Sequence, residues 1–80
     1  MNDIEQLLTA LDAFAALTGR AEATVSVRFL GRSSRIRELR AGGDMGVLRF
    51  RRAMRELSAV WPDGAEWPAG VIRPSAAGED

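Results

Sequence analysis

Ile4, Leu7, Leu8, Leu11, Phe14 and Ala15 recur at intervals of three and four residues, which places all six on one stripe of an α-helix. A strand would scatter them over both of its faces. The first part of the chain is therefore committed to an amphipathic helix that must bury one side against other elements. Its limits are also written locally. Asn2 and Glu5 have the spacing of a capping box, Asp3 places negative charge at the positive end of the helix, and Gly19 supplies a left-handed stop.

The next segment, residues 22–30, fits two patterns. Val25, Val27 and Phe29 alternate as in a strand, whereas Ala23, Val27 and Leu30 share a helical face. A lone strand has unpaired edges, and no other stretch reads as its partner, so the expectation is a short helix ended by Gly31. Ser33 or Ser34 then caps a second short helix over residues 34–41, with Ile36 and Leu39 inward and Gly42-Gly43 closing it. On that helix Ser34, Arg37, Glu38 and Ala41 point outward and Arg35 lies on the flank. Asp44 is expected to cap a last helix whose inward positions Val47, Phe50, Met54, Leu57 and Trp61 repeat at helical spacing until Pro62 stops it. Residues 62–73 are expected to pack partly back on the helices, and 74–80 to be disordered. The fold class that follows is all-α: one compact four-helix domain over residues 1–73 with an irregular, Pro/Gly-rich carboxy-terminal tail.

Composition narrows the chemistry. The 80-residue chain has 11 basic residues, all arginine, and no lysine, histidine, cysteine or tyrosine. Imidazole acid–base catalysis, thiolate nucleophiles, Schiff-base lysines, disulfides and Cys/His zinc sites are all excluded. Asp63 and Glu66 sit in a Pro/Gly turn without a basic partner, too few ligands for a metal-dependent nuclease. Gly42, Gly43 and Gly46 follow no strand and precede no lysine, so they join helices rather than cradle a nucleotide. No enzymatic activity, cofactor or metal is expected. No apolar run has the roughly 18–20 residues of a membrane helix, and the acidic start is unlike a signal peptide, which makes a cytoplasmic location the expectation.

Charge is distributed unevenly. Residues 20–55 hold ten arginines against Glu22, Glu38 and Asp44, a net +7, while the segments before and after carry −3 and −4. A basic centre between acidic flanks points to a polyanionic partner. Two short helices joined by a turn containing Gly31, inside a four-helix domain, make a helix-turn-helix arrangement whose second helix can enter the major groove of DNA.

In this respect residues 22–61 resemble the small lambda-repressor-like (XRE-type) helix-turn-helix regulators of bacteria and phages. The resemblance is carried by Val27 and Gly31, spaced as the brace-helix and turn residues of that motif, by Ser33-Ser34 opening the reader helix, and by Arg40-Ala41-Gly42-Gly43-Asp44 leading into the next helix. Ile36 and Leu39 stand one residue earlier than the family's buried reader-helix positions, where this chain has Arg37 and Arg40.

The resemblance implies a sequence-specific regulator of transcription that binds double-stranded DNA, of the phage or prophage repressor kind. Ser33 and Ser34 would then meet phosphate or base edges, and Arg35 and Arg37 would contact guanine through their planar forks. Glu38 would accept from cytosine N4 or orient an arginine. Arg28, Arg32, Arg49 and Arg52 would neutralise phosphates. One such module buries little surface on DNA, so a homodimer is expected, with Val60, Trp61, Trp67 and Val71 as its interface. Two other classes remain open: a small protein-binding inhibitor or adaptor that docks its arginine face on an acidic surface, and an arginine-rich RNA-binding module.

Overall fold

Asn2 caps α1 as its spacing predicts: its side chain accepts from the Glu5 backbone N–H at 2.8 Å, and the Glu5 carboxylate accepts from the Asn2 N–H at 3.1 Å. In the computed structural model, which describes residues 2–74, α1 runs Asp3–Thr18 and closes at Gly19. It is followed by α2 (Glu22–Leu30), α3 (Arg35–Arg40) and α4 (Val47–Val60), with no strand among the described residues. The fold is all-α, with four helices among the described residues. Of the expected tail, residues 75–80 lie outside the described residues.

The stripe on α1 is buried at Leu7, Ala10, Leu11 and Phe14, with Ile4, Leu8 and Ala15 packed at its margins. Val25, Phe29 and Leu30 of α2, Ile36 and Leu39 of α3, and Ala53, Met54 and Leu57 of α4 complete the helical part of the core. Leu7, Leu11 and Leu57 have no exposed surface. Each such side chain contributes about 1.5–3 kcal/mol by leaving water.

The buried face of α2 differs from the expected one. Val25, Ser26, Phe29 and Leu30 point inward, Ala23 is exposed, and Val27 is 51% exposed. A face centred on Phe29 and Leu30 removes far more apolar area from water than one centred on Ala23 and Val27. Val27 is therefore not the brace residue its spacing from Gly31 suggested. Gly31 does close α2, in left-handed backbone with φ of 84° that other residues rarely adopt.

α4 starts later than an Asp44 cap would allow. Gly46 stands at its N-cap without a side-chain bond, while the Asp44 carboxylate accepts from the Met45 N–H at 2.8 Å, before the helix begins. Val47, expected inward, is 56% exposed, and Phe50 is only half-buried, so the buried face of α4 begins at Ala53 and Met54. The chain turns extended at Trp61, the residue before Pro62, where proline sterics disfavour helical backbone.

Residues after α4 return to the core. Val71 is buried, and the Trp67 ring lies 4.7 Å from that of Trp61 while its indole N–H donates to the Val71 carbonyl at 2.9 Å. Arg73 stacks over Trp67 and donates to the Ser58 hydroxyl and carbonyl, and the Ile72 N–H donates to the Gln6 side chain at 2.9 Å. No described helix is long and apolar enough to cross a membrane.

Candidate nucleic-acid interface

A serine inside an apolar stripe must find partners, because a buried hydroxyl without them is costly. Ser26 has no exposed surface, and it joins α2 to α3. Its hydroxyl donates to the Arg32 carbonyl at 2.6 Å and accepts from the Ile36 N–H at 3.1 Å. One side chain thus holds the turn and satisfies an open amide in the first turn of α3. Capping of α3 was expected from Ser33 or Ser34. Ser34 does occupy the N-cap position, but with helical backbone and no capping bond, and Ser33 is exposed on the turn. The cap comes instead from the preceding helix.

Ser34 turns its hydroxyl the other way, donating to Glu38 Oε2 at 2.8 Å. Arg32 Nη2 donates to Glu38 Oε1, and Arg35 Nη1 lies 3.6 Å from the same oxygen. Arg35 is further held by donation from Nη2 to the Asp44 carbonyl at 2.8 Å, and its Nε is buried without a hydrogen-bond partner. The hydrogen bond from Arg32, then that from Ser34, hold the Glu38 carboxyl below its ordinary value of 4.5. Glu38 is an arginine-holding residue in this geometry. Its backbone is committed as well: the Glu38 carbonyl accepts from the Gly43 N–H at 2.9 Å, and a Cβ at Gly43 would come within 2.8 Å of that oxygen. This close approach requires glycine at 43 and ends α3 after six residues, shorter than the expected 34–41.

Arg40 ties the far end of α3 to two other helices. Its Nη1 and Nη2 donate to the two Asp12 carboxylate oxygens of α1, and its Nε and Nη2 to Glu22 Oε1 of α2, at 2.5–3.2 Å. The two carboxylates hold this guanidinium still more firmly protonated than usual. The three side chains are each 40–51% exposed, so the solvent screens their attraction. Arg40→Ala is expected to lower stability by about 1 kcal/mol at low salt and by less at high salt. Urea unfolding at the two salt concentrations checks this, and an effect independent of salt would show that the clamp works by packing alone.

The sequence-predicted contact residues fall into two groups. Arg32, Ser34, Arg35 and Glu38 are brought together as described. Arg37, Arg49 and Arg52 are exposed, and no side-chain interaction of theirs is found among the described residues. Arg28 is also exposed and lies over the Phe29 ring at 5.3 Å, beside a shallow cleft shared with Glu56, Ala59 and Val60 of α4. The expected dimer residues are divided too. Trp61 and Val71 are 6% and 7% exposed and belong to the chain's own core, so they offer a second copy almost no surface. Trp67 is half-buried against Trp61, and Val60 is 38% exposed.

Two residues of the site were missed. Ser26 had a local signal, since on the helical wheel it falls between Phe29 and Leu30. Arg40 had none, because its partners lie 28 and 18 residues away in the chain. The chain matches no family model, no curated protein and no solved structure.

Proposed function

We propose that this chain binds double-stranded DNA as a sequence-specific transcription regulator, a repressor of phage or prophage type, with α3 as the element that meets the major groove. One observation carries the reading. Ser26 locks α2 to α3 through the intervening turn, while Arg37 stands exposed on α3 with no partner among the described residues. A braced short helix offering an unpaired guanidinium is suited to guanine O6 and N7. The six residues of α3 span about 9 Å, within a groove about 12 Å wide.

Roles follow from what each arginine already holds. Arg37 is the base-reading residue. Arg28, Arg49 and Arg52, together with the Ser33 hydroxyl, meet phosphates. Arg40 is withheld by Asp12 and Glu22. Pairing of two copies brings half-sites about 10 base pairs apart, and Val60 with the exposed edge of Trp67 is the surface left for it. A cytoplasmic location accords with this role.

Arg37→Ala is expected to cost about 1–3 kcal/mol on the preferred duplex and to relax base preference at one position. Arg52→Ala is expected to weaken all duplexes alike and to lower the salt slope by about one unit. Titrations against duplex carrying the gene's own upstream region, unrelated duplex, and RNA at two salt concentrations provide the measurement. Equal, weak binding to all three contradicts the proposal, and preference for RNA replaces it with the RNA-binding reading.

A second reading is favoured by Leu48, which is 76% exposed next to Arg49. An apolar side chain among arginines suits an adaptor or inhibitor docking on an acidic protein surface. In that case Leu48→Ala would weaken the protein partner and leave duplex binding unchanged.

A further inference from the structure

Two donors and a second guanidinium converge on the Glu38 carboxylate: Arg32 donates to Oε1 and Ser34 to Oε2, while Arg35 Nη1 lies 3.6 Å from Oε1 as an ion pair. Two guanidinium groups and a hydroxyl are the donor set that recognises a phosphate's oxygens. We propose that Arg32, Ser34 and Arg35 form a phosphate cradle occupied in the free protein by the chain's own Glu38, and that a backbone phosphate of duplex DNA displaces that carboxylate. The inference deepens the DNA-binding reading and rests on it for the identity of the ligand.

The parts differ in how firmly they are held, and the difference favours exchange. The Arg35 side chain is 19% exposed and is anchored through Nη2 to the Asp44 carbonyl, so its Nη1 stays aimed at the cradle whichever anion fills it. Arg32 is 58% exposed and can follow an incoming phosphate. The Glu38 side chain is 41% exposed, and nothing anchors its carboxylate outside the cradle, so it can swing into solvent. Its backbone carbonyl keeps the bonds from Ala41 and Gly43 that close α3, so departure of the side chain leaves the helix end intact.

The carboxylate therefore acts as a resident competitor. It holds Arg32 in place and offsets one of the two positive charges in the free protein, and its own charge opposes any phosphate that approaches. Binding at this point is an exchange of anions. A duplex must offer enough further contacts, from Arg37 and the phosphate-facing arginines, to drive the exchange, whereas an isolated phosphate does not.

Glu38→Gln provides the test, with Arg32→Ala/Glu38→Gln and Glu66→Gln as companions. Glu66 is exposed in the segment after α4, and its substitution makes the same change in net charge away from the cradle. Circular dichroism and thermal unfolding confirm folding, and Glu38→Ala takes the place of Glu38→Gln if glutamine disturbs α3. Duplex affinity is read by fluorescence anisotropy at two salt concentrations, and inorganic phosphate is titrated while the arginine Nε–H signals are followed by NMR.

Glu38→Gln is expected to bind duplex about five- to tenfold more tightly, with a salt slope steeper by about one unit. Inorganic phosphate should shift the Arg32 and Arg35 signals in Glu38→Gln at concentrations that leave them unmoved in the parent. The double variant should lose the gain. Equal behaviour of parent and Glu38→Gln in both titrations overturns the proposal, as does an equal gain from Glu66→Gln. If no variant binds duplex but phosphate moves Arg32 and Arg35 in Glu38→Gln alone, the cradle stands and the DNA reading falls. If the parent binds duplex and Glu38→Gln gains nothing in either titration, the DNA reading stands and the cradle falls.

Discussion

Phe14→Ala is expected to lower stability by about 3–5 kcal/mol, the largest effect of any substitution considered for this protein. Phe14 is 3% exposed and joins three parts of the chain. From α1 its ring meets Phe29 of α2 edge-on at 5.2 Å, and it lies 5.9 Å from Trp61, where α4 ends. Truncation removes the ring's transfer energy and leaves a cavity that three surrounding elements cannot close at once. A domain of this size has only about 4–11 kcal/mol in total, so the variant would be substantially unfolded at elevated temperature. Urea unfolding followed by tryptophan fluorescence measures the loss, because Trp61 reports directly on this part of the core. Phe14→Leu conserves more volume and should lose less. A loss below about 1 kcal/mol for Phe14→Ala would mean that the ring is not the junction its contacts describe.

Ser26→Ala should follow, at about 2–3 kcal/mol. The substitution removes one oxygen, orphans the buried Ile36 N–H, and leaves the Arg32 carbonyl with only the Arg35 N–H as donor. For a domain this small the change corresponds to a fall in melting temperature of about 10–20 °C. Local evidence separates this mechanism from general loosening. Hydrogen exchange at the Ile36 amide should accelerate more than exchange at the Leu57 amide in the middle of α4, because the missing acceptor belongs to the first and the packing of the second is untouched. Uniform acceleration across the protein would assign Ser26 to packing instead. Duplex binding should weaken as well, since α3 loses the brace that orients Arg37.

The two substitutions mark two kinds of legibility. Phe14 could be found from the sequence because it belongs to a periodic pattern, and the spacing of apolar residues on one helix determines which face is buried. Ile36 and Leu39 were found in the same way. Ser26 carried a weaker signal, a polar residue where the wheel has an apolar face, and it was hidden by choosing Val27 as the centre of that face. The error arose because Val25, Val27 and Phe29 lie in a β-branched, alternating stretch that fits two periods at once. Only the competition for core space, won by Phe29 and Leu30, decides between them.

The charged residues were the least legible. Sequence distribution shows that the centre of the chain is basic, but not which arginines are left over. Arg35 and Arg37 share one expected role, contact with guanine, yet Arg35 is engaged with Glu38 and the Asp44 carbonyl while the Arg37 side chain is exposed without a partner among the described residues. Trp61 and Val71 were expected at a dimer surface because they are apolar and lie beyond the last regular helix. They are instead needed to cover the chain's own core.

By itself the sequence determined the number of helices, the buried stripe of α1, the ends at Gly19, Gly31 and Pro62, and the absence of histidine, cysteine and lysine chemistry. These depend on interactions within a few residues or on side-chain inventory alone. Tertiary structure decided which face of α2 is buried, that α3 is capped by Ser26, that Arg40 is bound to Asp12 and Glu22, and that Glu38 lies among Arg32, Ser34 and Arg35. Each of these depends on how helices cross in space, where a hydroxyl or a guanidinium meets partners that no local spacing specifies.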